Sequence, residues 1–191
     1  MEQRSFLQAK EEFRKSLAKL EMMKKSTDIH QLSDIWSEFL TSVSRVFNKL
    51  KNATRIGASK GWYDNIENMR KKDELLSYIR HARNCDEHGL DPITNKQRGS
   101  IGMGAKDGGA LYLDNLSITK DGITIGEKAA KNIQLTFYPA QVLLIPVKDK
   151  GRLYHPPTNH LGTEISGSNP ILVAELAVKY IDSVLSEAIL K

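Results

Sequence analysis

Between Arg80 and His88 the chain carries Arg80-His81-Ala82-Arg83-Asn84-Cys85-Asp86-Glu87-His88, with two guanidiniums, two imidazoles and an amide in one short run. At about 100° per residue on a helix, Leu75, Leu76, Ile79 and Ala82 share one arc. Arg80, Asn84, His88 and His81 take the opposite arc, with Arg83 at its border. Arg80, Asn84 and His88 follow i, i+4, i+8 and line one side. Such a face suits RNA cleavage without a metal. A histidine removes the 2′-OH proton or protonates the leaving oxygen near neutral pH. An arginine clamps the phosphate and offsets the charge that grows in the transition state. The same residues also fit a plainer account. Arg83 and Glu87 make an i, i+4 surface pair worth little, and His88 beside Gly89 suits a helix C-terminus.

The elements that must position this run follow from periodicity. Phe6, Leu7, Phe13, Leu17 and Leu20 predict a first helix across residues 4–25. Ser26-Thr27-Asp28 supplies cap chemistry for the next. Ile29, Leu32, Ile35, Trp36, Phe39, Leu40, Val43, Val46, Phe47 and Leu50 then hold one stripe for about six turns. Gly57 and Gly61 interrupt the pattern. Helical spacing resumes at Trp62 and Tyr63 and continues, after a kink near Lys71–Asp73, to a stop at Gly89. Asn169-Pro170 caps and opens a last helix with Val173, Leu176, Ala177, Tyr180, Ile181, Val184 and Ala188 facing the core.

Residues 90–168 differ in kind. Gly99, Gly102, Gly104, Gly108 and Gly109 predict a flexible loop. A hairpin around Asp121-Gly122 is expected to pair Thr119 with Thr124 and Ile118 with Ile125. Ile133–Tyr138, Gln141–Val147 and Arg152–His155 are strand candidates, and Asp149-Lys150-Gly151 is a second turn. The expected fold class is α+β, mainly α: a four-helix bundle with an antiparallel β-rich insertion before the last helix. One domain is expected over 1–191, with a helical core at 4–89 and 169–191 and the insertion at 90–168.

Composition bounds the setting. The chain has 191 residues, 40% hydrophobic and 27% charged, which excludes a disordered class. Its net charge is +5. Residues 1–90 hold 17 Lys/Arg against 13 Asp/Glu, and residues 91–191 hold 11 against 10, so the excess lies on the helical half. Arg45, Lys49, Lys51, Arg55, Lys60 and Arg70–Lys72 crowd there, which suits attraction to a phosphate polyanion such as RNA, and the same charges also fit a plain solvated surface. A lone Cys85 builds no disulfide framework. A charged start and the lack of a long apolar run predict a cytoplasmic protein with no membrane partner.

Arg83-Asn84-Cys85-Asp86-Glu87-His88 resembles the R-x4–6-H signature of the HEPN superfamily: Arg, a polar residue, three variable residues and His, near the end of the third long helix. The resemblance implies a helical bundle that dimerises so that two copies of the motif meet in a cleft. It implies that Arg83 and His88 form the catalytic pair and that Asn84 supports it. The family reaction is metal-independent attack of the ribose 2′-OH on the adjacent phosphate, leaving a 2′,3′-cyclic phosphate. Arg80 and His81 are expected to assist phosphate binding. No metal or cofactor is expected. The implied partners are RNA, a second copy of the chain and, as for toxin and abortive-infection members, an antitoxin protein. Other members are silent and only bind nucleic acid or nucleotide, and a plain protein-interaction dimer fits the same helices.

Weaker signals point elsewhere. Gly99–Gly109 lacks the strand and helix N-terminus of a phosphate-cradling loop. His155 and His160, with His81 and His88, lack supporting ligand spacing for a metal. Trp36 belongs to the core stripe. Trp62 and Tyr63 suit packing better than base stacking.

Overall fold

In the computed structural model the described residues are 1–55, 59–89, 91–111, 113, 115–126 and 132–190. Gly57 and Leu90 lie outside them. Helices α1 (Gln3–Lys25), α2 (Ile29–Ala53), α3 (Ser59–Lys72), α4 (Glu74–His88) and α5 (Pro170–Ala188) flank ten short strands, an α+β architecture. The strands are β1 (Thr94–Gln97), β2 (Ser100–Ala105), β3 (Ser117–Thr119), β4 (Gly122–Thr124) and β5 (Ile133–Tyr138). After them come β6 (Gln141–Leu144), β7 (Val147–Asp149), β8 (Arg152–Tyr154), β9 (Asn159–His160) and β10 (Thr163–Glu164). They form separate two-stranded sheets. No described helix is long and apolar enough to cross a membrane.

Two compact units emerge: residues 1–97 with 142–191, and residues 98–141. The expected insertion of 90–168 is therefore cut at 142, because its later part is tied to α4. Asp73 caps α4 through Leu76 N (2.9 Å) and also accepts from His160 Nδ1 (3.0 Å) and Leu161 N (2.8 Å). Glu74 Oε2 accepts from Thr158 N, Thr158 Oγ1 and Asn159 N at 2.9–3.0 Å, which holds its carboxyl below its ordinary pKa. Asp73 and His160 are buried, so their pairing satisfies polar groups that would otherwise cost free energy, and Glu74 adds exposed contacts to the same loop.

The first unit is built on α1 and α2. Glu2 N donates to Ala53 O (2.7 Å), so the two helices run antiparallel. Asp28 caps α2 through His30 N and Gln31 N. The predicted α2 stripe from Ile35 to Leu50 is buried, and Trp36 and Phe39 stack at 5.6 Å. On α1 the expected stripe is buried only in part, with Leu20 in the core and Phe6 and Phe13 packed partly buried against it. Ala9, Ser16, Leu20 and Met23 are buried, while Leu7 is 57% exposed. Small side chains let α1 approach α2 closely, and a reading by large apolar residues misses that face. Asn169 caps α5 through Ile171 N (2.8 Å), and Val173, Ala177, Ile181, Val184 and Ala188 are buried.

The expected third helix is two helices. Asp73 leaves the helical region (φ −74°, ψ 131°, extended) and its carboxylate caps a fresh start, so the kink is a break and the described residues hold five helices where four were expected. Strand Gln141–Val147 is also divided, because Pro146 lacks the N–H a ladder needs.

In the second unit the glycine-rich stretch is not a loop throughout. Residues 100–105 form β2 and pair with β5, from Ser100 with Tyr138 to Ala105 with Ile133. Gly102 leaves room for the Tyr138 ring, whose Cε2 lies 3.1 Å from where a Cβ would stand. The β3–β4 hairpin pairs Ser117 with Thr124 and Ile118 with Ile123, so each residue's partner lies two positions from the expected one. A type I′ turn on Asp121-Gly122 needs positive φ at both residues. Asp121 does not have it, so the turn falls on Lys120-Asp121 and Gly122 takes φ +149° in the first paired position.

Candidate functional site

Helix α4 carries the candidate residues, and what it buries decides where they point. Leu75, Leu76, Tyr78, Ile79 and Ala82 face the core against α2, α3 and α5. Gly89 ends the helix by close approach and not by a left-handed turn. Its N–H donates to Cys85 O at 2.7 Å, and a Cβ there would stand 2.5 Å from that oxygen.

The flank of α4 beyond the core packs on the β7–β8 hairpin. Lys150 (φ 50°) and Gly151 (φ 80°) make a two-residue turn of the I′ kind, which sets Asp149 opposite Arg152. Asp149 Oδ2 then accepts from Asn84 Nδ2 (2.9 Å) and meets His81 Nδ1 (2.7 Å). The Asn84 amide foremost, and His81 after it, hold the Asp149 carboxyl below its ordinary pKa. An ionised carboxylate only accepts, so Nδ1 of His81 carries the proton of this contact, and in the neutral ring Nε2 is then the acceptor. The ring of Tyr154 covers His81 at 3.6 Å between centroids. Cys85 Sγ donates to Lys148 O (3.3 Å), and burial raises the thiol's pKa.

His88 is exposed at the helix end. With Asn84, Cys85, Asp149 and residues 145–148 it lines a cavity of about 350 Å³. Arg83 and Arg80 open on a different cavity, of about 260 Å³, between α4 and helices α2 and α3. Asn84 borders both cavities. Arg83 pairs with Glu87 across one turn, and its Nε is buried without a hydrogen-bond partner. Asp86, on the same turn, accepts from Ser37 Oγ of α2 at 3.0 Å.

Of the predicted residues, then, Asn84 and His81 are brought together, through Asp149. Arg80 and Arg83 share a cavity, and His88 stands apart from both arginines. Sequence reasoning missed Asp149 and Tyr154, and it read Lys51 and Arg70 only as part of a basic surface, not as lining a cavity with Arg80 and Arg83. The Asp-Lys-Gly turn was the available signal for Asp149, but nothing local says which helix a hairpin will meet. The four histidines do not converge: His160 is buried on Asp73, and His155 lies beside α4's first turns, near Lys71 and Glu74. Among the described residues no group of three or more His, Cys, Asp or Glu is placed to hold a metal ion. Trp62 packs against the core with Nε1 directed at Glu187 Oε2 (3.3 Å), and Tyr63 donates to Phe47 O (2.8 Å). Burial pushes the Tyr63 hydroxyl up to about 12. Compared with known protein families, curated proteins and solved structures, the chain has no match.

Proposed function

We propose that this chain is a metal-independent endoribonuclease with a HEPN-like helical bundle, working as a homodimer. The observation that carries the reading is the last two turns of α4. They present an exposed imidazole at a cavity mouth, and a guanidinium one turn earlier in a second, strongly basic cavity. His88 exchanges the proton, taking it from the 2′-OH or giving it to the departing 5′-oxygen. Arg83 holds the phosphate whose oxygens gain charge as the 2′-oxygen attacks phosphorus and the P–O5′ bond breaks. Atoms balance with no added water: one strand becomes a 2′,3′-cyclic phosphate end and a 5′-hydroxyl end.

Asn84, anchored on Asp149, steadies the helix between the two cavities. Arg80 is exposed and fits the expected phosphate role. His81, with Nδ1 on Asp149 and a face on Tyr154, fits a positioning role better than direct phosphate contact. That Arg83 and His88 open on different cavities favours a site assembled from two copies, each giving one member of the pair. The toxin or abortive-infection role, with an antitoxin partner, belongs to the same reading and rests on the resemblance.

A second reading has its own support. The Arg83–Glu87 pair occupies the guanidinium, as a silent RNA-binding module would allow. End-labelled RNA incubated in EDTA with wild type, H88A and R83A decides between them. Cyclic-phosphate ends that both substitutions abolish support the nuclease. Salt-sensitive binding without new ends supports the silent module. Equal cleavage by all three proteins, or neither cleavage nor binding, defeats both.

A further inference from the structure

The cavity of about 260 Å³ gathers Lys51 from α2, Arg70 from α3, and Arg80 and Arg83 from α4. Glu67 is the one carboxylate among its described lining residues, and Lys51 Nζ already engages it at 3.3 Å. Arg70 is the anchor of the group. Its guanidinium lies 3.7 Å over the Phe47 ring, and Phe47 is only 2% exposed. The core thereby fixes the orientation of a planar fork that would otherwise sample many rotamers. Burial foremost weakens Arg70's hold on its proton, and the nearby Arg80 adds repulsion. Arginine keeps its charge regardless, so the repulsion persists, offset in part by Tyr63 and Glu67.

Arg80 has no ion-pair partner among the described residues, and Arg83 Nε is buried with no acceptor. Like charges drawn into one partly buried polar cavity, with a donor left unsatisfied, cost free energy unless an anion joins them. A phosphate offers oxygen acceptors on several sides and matches forked guanidinium donors. We propose that Lys51, Arg70, Arg80 and Arg83 form a phosphate-oxyanion subsite, and that it takes a backbone phosphate of single-stranded RNA. The identity of the anion as RNA rests on the function proposed above, whereas the anion chemistry stands on the cavity itself.

The test uses the full chain and a short 2′-O-methyl RNA strand, which lacks the attacking hydroxyl and reports binding alone. Affinity is measured across salt concentrations for wild type, R80A, K51Q and R70K, with R14Q on α1 as a charge-loss control. Losing one phosphate contact lowers the slope of log affinity against log salt by about 0.7 for a single strand. A fourfold rise in salt then costs wild type about 2.6-fold more affinity than the variant. R80A and K51Q are expected to show that smaller slope and R14Q the wild-type one. Arg70 is packed on the core, so thermal unfolding checks R70K, and the exposed Arg80 and Lys51 carry the test if it fails to fold.

Wild-type slopes in R80A and K51Q would overturn the subsite even if RNA is still cut. Reduced slopes with no cleavage by the wild type would uphold the subsite and defeat the nuclease reading. A parallel titration with inorganic phosphate follows the arginine Nε–H NMR signals. Phosphate-induced shifts without RNA binding would uphold the oxyanion chemistry and overturn RNA as its source.

Discussion

The two flanks of α4 are stabilised in opposite ways. Against the β7–β8 hairpin, donors and acceptors are matched: Asp149 takes Asn84 and His81, Tyr154 covers the imidazole, and Lys148 O takes the Cys85 thiol. Against α2 and α3, positive charges gather around a cavity with one carboxylate among its described lining residues, and a buried guanidinium nitrogen goes unpaired. Matched polar groups set a shape. Unmatched ones retain binding capacity that folding has not used. One flank ties the helix to the hairpin, and the other leaves a guanidinium nitrogen unpaired among basic side chains.

The sharpest way to break this contrast is catalytic. H88A and R83A are expected to lose roughly 10²–10⁴ of the EDTA-resistant RNA cleavage while keeping the wild-type circular dichroism spectrum. Loss of fold in both would make these residues structural supports and not reacting groups.

Next in size is D149A, which strands the Asn84 amide and the His81 N–H. It should cost about 1–3 kcal/mol, read as a fall in Tm of about 2–4 °C for each kcal/mol in a chain of this size. An unchanged Tm would show that the hairpin flank supports nothing.

Acid sharpens the same point. Asp149's carboxyl is lowered in the folded state, so its contribution is fully present above the ordinary carboxylate pKa, near pH 4. It is lost as pH falls below that value through the folded-state pKa. In D149N the acid limb of a Tm–pH profile should therefore be flatter below about pH 4 and unchanged above it.

A smaller effect is expected of E87Q, which frees Arg83 from a partly exposed pair. Its Tm should move by the equivalent of about 0–1 kcal/mol, while RNA binding by the basic flank strengthens. Weaker binding would mean that Glu87 positions Arg83 instead of competing for it. Smallest is the thiol: with its pKa raised by burial, Cys85 should react with iodoacetamide at pH 7 more slowly than a free thiol does, and D149N should leave it slow.

Much of the fold is legible in the residues. The stripe of α2 and the caps at Asp28 and Asn169 are local signals, and each lies where its spacing or chemistry puts it. Strand β5 spans Ile133–Tyr138 as read. The failures have physical causes too. Ala9 and Ser16 bury α1 through smallness, which hydrophobic periodicity does not weigh. Gly102 and Gly104 enter a strand because β5 supplies the partner from some thirty residues away. Asp73 breaks a helix because its carboxylate meets both a fresh helix start and the distant His160. At the candidate site, residue types and spacing named Arg80, Arg83, Asn84 and His88 as one face of a helix. They did not separate the arginines' cavity from that of the histidine.

By itself the sequence determined which segment presents ionisable groups away from the core, because a helix's period and its burial of apolar side chains are local properties. It determined the basic bias of the helical half in the same way. Only the tertiary structure decided which of those groups are satisfied. Lys51 and Arg70 come to Arg80 and Arg83 from two other helices, and Asp149 reaches Asn84 from a hairpin 65 residues along the chain. Such meetings are products of packing among distant segments, and no local pattern encodes them.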